Sequence, residues 1–364
     1  MDSLKIFEGL PDHRTQHLVT YELKSLVFIT ISAVVSGYDT FTDIALFAEC
    51  KRDWITRFVP LPEGKTPSHD IFGDLFSSLC TKSFCDHFVR WVSLVSNITS
   101  GELIAIDGKR MRGSYDRFDQ KAAIHVVSAW AQQNSLVLAQ VKVDDKSNEI
   151  TAIPKILEML EMKGVIISID AMGCQKDIAQ DIIEREADYI LALKGNQSAL
   201  HQQVKGAFDS IKVSSQAEHI TKDHGRIEIR KCTVVNNLEL IDECRNWRSL
   251  QSVIKIESTR HQVLSDKTTK ETRYYISSLK TTADRFNGLV RGHWAIENSL
   301  HWVLDMTFSE DSSRIRKGNA DENFSTIRRI AINILKLNKK KASLNVKRKS
   351  AGLNDRFRED LLRI

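Results

Sequence analysis

Two aspartates close short apolar runs in this 364-residue sequence. Asp107 ends residues 103–107 (LIAID) and Asp170 ends residues 165–170 (VIISID), each followed within three positions by a glycine. Either one alone is ordinary turn chemistry. In an open α/β sheet, however, the functional crevice lies at the carboxyl ends of strands, so two such residues on neighbouring strands would share it. Their repulsion there would be relieved by a divalent cation. A second pattern lies in residues 291–305 (RGHWAIENSLHWVLD), where steps of four put His293, Glu297, His301 and Asp305 on one side of a helix. Imidazoles at that spacing can share zinc. The oxygen ligands of two strand-end aspartates point instead to the hard cations Mg²⁺ or Mn²⁺, leaving the histidines to handle DNA or protons. An interfacial helix with satisfied polar groups would show the same spacing. Lys109, Arg112 and Lys194 follow the strand ends and are candidates to clamp phosphates, with exposed loop charge as the plain alternative. Trp294 and Trp302 could stack on an unpaired base, although an aromatic on an amphipathic helix more often belongs to a core.

The elements that must hold these residues change character along the chain. Residues 1–98 read as helical. One helix is expected over residues 22–36, stopping at Gly37, and a second behind Ser68, with Ile71, Phe72, Leu75, Phe76 and Leu79 at apolar steps of three and four. From Ser100-Gly101 strand-like and helical runs alternate. Strands are expected at 103–107, 122–130 and 136–143, then a polar loop at 144–148 and a helix over 153–162 behind Thr151. A strand at 165–170, a helix at 175–185 and a strand at 189–193 follow. That order predicts a mixed α/β sheet. Residues 214–280 turn β-rich without long helices and read as an inserted subdomain, before helical signals resume from Thr282 to about Leu337.

Apolar residues make up 42% of the chain and charged residues 27%, with only 16 Gly and 5 Pro, which excludes a largely disordered or fibrous protein. The longest apolar stretch, residues 26–35, is about half of the ~20 residues a membrane span requires. Met1 is followed by Asp2 and Glu8 without a basic leader, so a cytoplasmic protein is expected. The six cysteines form no CxxC pair, and buried free thiols are the expectation. Net charge is +5, unevenly spread: residues 312–364 hold 15 Lys and Arg against 5 Asp and Glu, whereas residues 1–311 hold 37 against 42. Arg314, Arg316, Lys317, Arg328 and Arg329, then Lys339–Lys341 and Lys347–Lys349, form a segment that would attract a phosphate backbone. The plainer reading is a solvated helix end and frayed tail. No GxGxxG or P-loop accompanies the strands, which weakens a nucleotide-binding enzyme.

The segments AIDGKRMRGS (105–114), SIDAMGCQ (168–175), YILALKGNQ (189–197) and RGHWAIENSLHWVLDMTFSED (291–311) resemble the DDE transposases of bacterial insertion sequences. The likeness is to the branch of the H-repeat-associated proteins of Rhs elements. It covers essentially the whole chain: FEGLPDHR (7–14) and TPSHDIFGDLF (66–76) are similar to that family's N-terminal associated domain. The resemblance implies an α/β fold, an RNase H-like mixed-sheet catalytic core with a β-rich insertion, preceded by an α-helical N-terminal domain. Expected boundaries are 1–98 for the helical domain, a candidate for DNA contact, 99–338 for the catalytic domain with its insertion at about 212–280, and 339–364 for a basic tail. It implies Asp107, Asp170 and Glu297 as catalytic and metal-binding residues, with two Mg²⁺ or Mn²⁺ ions as cofactor. Lys109, Arg112, Lys194, Arg291, His293, Trp294, Asn298, His301 and Trp302 are the DNA-binding candidates. His293 stands where better-studied relatives carry the arginine of a tyrosine-arginine-glutamate-lysine signature, so that arginine's role does not transfer. The implied function is cutting element ends and joining 3′-hydroxyls to target DNA, by a homodimer or larger assembly on terminal inverted repeats and target duplex. A nuclease without strand transfer and an inactive DNA-binding remnant are the alternatives.

Overall fold

The computed structural model describes residues 7, 9–15, 17, 19–115, 122–144, 147–223 and 225–363. Asp2 and Glu8 near the start, and Asp145 and Lys146 of the polar loop, lie outside them. Helix α1 (Leu23–Val35) is buried on nearly every side, Ser25, Thr30 and Ser32 included, which is why its sequence shows no polar face. Around it lie α2 (Phe41–Cys50), α3 (Arg52–Ile55), α4 (His69–Ser78) and α5 (Thr81–Val95). Phe72, Leu75, Phe76 and Leu79 of the α4 region are all buried as the spacing predicts, and Ser68 stands at the cap position without a side-chain cap bond.

The sheet begins with β1 (Leu103–Arg110), β2 (His125–Ala131) and β3 (Leu136–Lys142). Helix α6 (Glu149–Glu158) leads to β4 (Ile166–Ile169), and α7 (Lys176–Glu184) to β5 (Asp188–Leu193). Asn148, not Thr151, caps α6, accepting from the Ile150 N–H, so this helix starts four residues before the periodicity suggests. After α8 (Ser198–Ser210) come β6 (Ser215–Asp223), β7 (Arg226–Val235), β8 (Ser252–Gln262) and β9 (Lys267–Ser277). Strand order is β3-β2-β1-β4-β5-β9-β8-β7-β6. β1 pairs β4 and β4 pairs β5 in parallel, and all other pairs are antiparallel. The first five strands thus have the order and directions of an RNase H-like core. The expected inserted subdomain is instead an extension of the same sheet: β9 pairs with β5 from Ile190↔Ser277 to Leu193↔Tyr274.

Helix α9 (Ala283–His293) crosses the seam between the two parts. Its Ala283, Phe286, Leu289 and Val290 pack with Leu103 of β1, Ile166 of β4, Ile190 of β5, and Cys232, Ile254 and Tyr275 of the extension. Each large apolar side chain buried there contributes about 1.5–3 kcal/mol. The opposite face is covered from α6 and α7 to α11 (Ala320–Leu337), which also packs against α1, α4 and α5, so the N-terminal helices share one apolar core with the sheet. Between α9 and α11 lie a π-helical turn, Glu297–His301, and α10 (Trp302–Phe308).

The basic C-terminal segment is not a frayed tail. It forms α12 (Leu344–Leu353) and α13 (Asp355–Leu362), packed on α1 and α11. Several of its cations are internal. Lys347 donates to the Leu335 and Asn338 carbonyls, and Arg348 to the Val34 carbonyl and the Asp39 carboxylate. Arg328 and Arg329 are fully buried in α11 beside buried Glu310, with Arg329 Nη1 3.0 Å and Arg328 Nη1 3.7 Å from Glu310 Oε1. The expected patch therefore reduces chiefly to exposed Arg314, Lys317, Lys339–Lys341 and Lys349. Of the cysteines, Cys174, Cys232 and Cys244 are buried, Cys80 and Cys85 half-buried and Cys50 exposed, all free. Among the described residues no helix is long and apolar enough to cross a membrane.

Glu310→Gln leaves two buried guanidinium groups without their carboxylate and is expected to lower unfolding free energy by about 3–5 kcal/mol. Urea denaturation checks this, and a loss below about 1 kcal/mol would show that the pair does not anchor α11.

Candidate active site

Parallel pairing of β1 with β4 ends at Ile106↔Ile169, so the next residue on each strand, Asp107 and Asp170, continues the same register side by side. Asp107 is therefore not a strand end, since β1 runs on to Arg110 against β2; it stands where the parallel ladder stops. Alternation along the strands decides what shares its face. Leu103, Ala105 and Asp107 of β1, Ile166, Ser168 and Asp170 around β4, and Ile190, Ala192 and Lys194 around β5 are apolar at one end and polar at the other. Helix α9 covers the apolar end, and the chain reaches the polar end as it enters the π turn.

The approach of α9 is set by Gly292. A Cβ at this position would lie 2.6 Å from Leu103 Cδ2 and collide with the Gln132 side chain, so a larger residue here would require both side chains to move or the helix to stand further from β1. One residue on, His293 Nδ1 sits 3.0 Å from Ser168 Oγ. Packing around its ring drives the His293 pKa down to about 4, which keeps the imidazole neutral at neutral pH. The π turn then presents Glu297 and His301 to Asp107: His301 Nδ1 is 3.3 Å from Glu297 Oε2 and 3.7 Å from Asp107 Oδ2. π turns are rare and concentrate where side chains must be re-aimed. Asp305, the last member of the stripe, contacts Lys109 Nζ at 2.6 Å. The expectation that His293, Glu297, His301 and Asp305 face one way agrees with these contacts.

The carboxylates perturb one another. Burial, followed by the charges of Glu297, Glu149 and Asp170, pushes Asp107 up to about 8. Burial and the Glu149 charge raise Asp170, opposed by the Gly173 and Met172 N–H groups that its Oδ1 accepts and by Lys194. Glu297, the more exposed partner, is lowered, chiefly by its hydrogen bond with His301. One ligand atom each of Asp107, Glu297 and His301 lie within 4.8 Å of one another. Clustered carboxylate oxygens with a raised pKa take up either a proton or a cation, so this donor set fits a divalent metal.

A cleft of about 380 Å³ opens over the group, bounded by Asp107, Asp170, Lys194, Arg273, Trp294 and Glu297. Lys194, Arg291 and Asn298 are exposed. Trp294 carries the Arg273 guanidinium 4.4 Å above its ring, and Trp302 is largely exposed on α10. Arg112 is almost fully exposed, 3.9 Å from Asp311. Lys109 does not suit the expected phosphate clamp: it is buried and bonded to Asp305 and to Asp311 at 2.7 Å, so its charge is neutralised within the protein. Sequence reasoning missed Glu149, buried at the start of α6, with Oε1 2.8 Å from His125 Nε2. Its only sequence signal is Gly108 after Asp107, where a side chain would collide with Glu149 and His125.

Folded Asp107 keeps its proton to about pH 8, whereas an unfolded carboxyl loses it near pH 4. Its contribution to stability is thus complete below about pH 4 and lost as pH rises through about 8. With EDTA present, the denaturation midpoint is expected to fall from about pH 5 to about pH 8.5 more steeply in the wild type than in Asp107→Asn. Equal falls would mean that Asp107 titrates normally.

Comparison with known proteins bears on the same residues. The family described as "Transposase DDE domain" matches residues 99–334, and the one described as "DDE_Tnp_1-associated" matches residues 4–92. "Putative protein YbfL" of Escherichia coli K12 is 41% identical over all of this chain and 98% of its own length. "H repeat-associated putative transposase YhhI" of the same strain is 40% identical with the same coverage. "Putative transposase YncI" of Escherichia coli O157:H7 is 41% identical over 97% of this chain and 92% of its own. Among solved structures, a piggyBac transposase synaptic complex with hairpin DNA aligns with 99% of this chain and 80% of that one, at 10% identity and a TM-score of 0.47. With a family match over more than half its length and full-length relatives near 40% identity, the chain belongs to the transposase DDE domain family.

Proposed function

We propose that this protein is the DNA transposase of an insertion sequence, cutting the element's ends and joining the exposed 3′-hydroxyls to target DNA. The observation that carries the reading is the meeting of Asp107, Asp170 and Glu297 around one cleft of an RNase H-like sheet. These three residues hold the divalent ions and are the catalytic set. Two bound Mg²⁺ or Mn²⁺ ions would supply the charge that activates a water or a 3′-hydroxyl and stabilises the leaving oxygen of an in-line phosphoryl transfer.

The remaining tasks belong to the chain's own side chains. Lys194 at the cleft, with exposed Arg112 and Arg291, contacts phosphates. Trp294, Asn298 and Trp302 line the path of the DNA, Trp302 offering a free ring face for an unpaired base. Buried His301 orients the Asp107 and Glu297 carboxylates, and neutral His293 ties the start of the π turn to Ser168 of β4. Residues 1–98 act as the associated helical domain and 99–338 as the catalytic one, with 339–364 closing onto both. Because two ends must be cut and joined together, the working form is at least a dimer on paired ends, in the bacterial cytoplasm.

The test uses duplexes ending in the inverted repeats that flank the coding region, with Mg²⁺ or Mn²⁺ and a supercoiled target. The reading predicts both cleavage and joined products. Asp107→Asn, Asp170→Asn and Glu297→Gln should each reduce cleavage by about a thousandfold or more while end binding persists. Cleavage without joining would make the protein a nuclease, and binding without cleavage an inactive remnant. Full cleavage by any of the three variants would remove that residue from the catalytic set.

A further inference from the structure

We infer that His301 is itself a metal ligand, its Nδ1 joining the Asp107 and Glu297 carboxylates around one divalent cation, so that this site takes Mn²⁺ in preference to Mg²⁺. The inference rests on the reading of these carboxylates as a metal site. It departs from that reading in its ligand set, because the tightest group of donor atoms is two carboxylates and an imidazole. Asp170 stands outside that group, and its Oδ1 is already engaged by the Met172 and Gly173 N–H groups.

Two observations favour ligation over an incidental contact. His301 is buried, 6% exposed, and sits at the end of the π turn that also carries Glu297, so the ring and the carboxylate are aimed by one backbone feature. Both groups facing Nδ1 are carboxylates, at 3.3 and 3.7 Å. Nε2, by contrast, is buried without a hydrogen-bond partner among the described residues. The ring is thus oriented through Nδ1 and its carboxylate neighbours, and ligation there leaves the Nε2–H a buried donor without a protein partner among the described residues. His293 offers a comparison on the same stripe: its Nδ1 is taken by Ser168, and it is not part of the close group.

The choice of cation follows from donor chemistry. Mg²⁺ prefers an all-oxygen octahedron and binds imidazole poorly, whereas Mn²⁺ accepts mixed oxygen and nitrogen ligands. A carboxylate-only site would distinguish the two ions less.

Electron spin-echo envelope modulation of the full-length protein loaded with Mn²⁺, without DNA, reads the ligand directly. The wild type is expected to show nitrogen modulation that changes on ¹⁵N-histidine labelling, a measurement that needs no variant to fold. In His301→Ala, checked for folding by circular dichroism, the modulation should disappear, Mn²⁺ should bind about 10–100-fold more weakly and the preference over Mg²⁺ should narrow. In His293→Ala the modulation should remain. Mn²⁺ bound without nitrogen modulation in the wild type, but lost in Asp107→Asn, would overturn the histidine ligand and leave the carboxylate site standing. Modulation that survives in His301→Ala and vanishes in His293→Ala would also overturn it. Mn²⁺ binding unaffected by Asp107→Asn and Glu297→Gln would overturn the metal site itself.

Discussion

Carboxylates gathered in a half-buried cleft repel one another, and the surroundings of Asp107 are built to hold them together in spite of it. The register of β1 and β4 gives Asp107 and Asp170 adjacent positions, and the π turn brings Glu297 to the same place. Repulsion among the carboxylates works against that assembly, while the hydrogen bonds of Glu297 with His301 and Asp107 work for it. The packing of α9 across six strands, its close passage at Gly292 and the Ser168–His293 contact fix the backbone first. Burial first, and then the charges of the neighbouring carboxylates, raise the pKa of Asp107, and a proton or a cation is what relieves the group.

The same logic explains where the positive charge went. Lys109 joins β1 to Asp305 and Asp311, while Arg328 and Arg329 of α11 meet Glu310 between those elements. Arg348 ties α12 to the carbonyl end of α1 and to Asp39. These buried ion pairs contribute little net stability compared with apolar packing, but removing one partner is costly, so they specify one arrangement. The turn at 309–312, which carries both Glu310 and Asp311, is thereby locked on both sides. Much of the C-terminal charge is structural, and the cations left for a polyanion are those on exposed loops and helix ends.

How much of this is legible in the sequence depends on how local each signal is. Apolar runs marked β1, β4 and β5 because strands buried on both faces need them, and Gly37 marked the end of α1, where it has φ +98°. The stripe from His293 to Asp305 is readable because its steps of four are a local signal, and in the fold each member has a partner on the β1–β4 side. Four features were not readable. β6 has polar residues on both faces in SQAEHITKD, so it lacks the alternation of a half-buried strand. The joining of β9 to β5 is a long-range pairing that no local pattern announces. Lys109 and Arg329 look like any surface cation until the fold shows their carboxylate partners, because charge in a sequence carries no record of burial. Glu149 was hidden for the same reason, its link to Asp107 running through tertiary contact alone.

This cleft holds carboxylates under repulsion that a divalent cation would relieve. Isothermal titration of Mn²⁺ into the DNA-free protein near neutral pH, in buffers of different ionisation enthalpy, tests it most directly. Asp107 should give up its proton as the metal enters, so the observed heat should vary with the buffer by an amount corresponding to close to one proton released per protein. The dependence should vanish in Asp107→Asn. Binding with no buffer dependence in the wild type would mean that Asp107 holds no proton for a metal to displace, and no binding at all would mean that the cleft takes no cation.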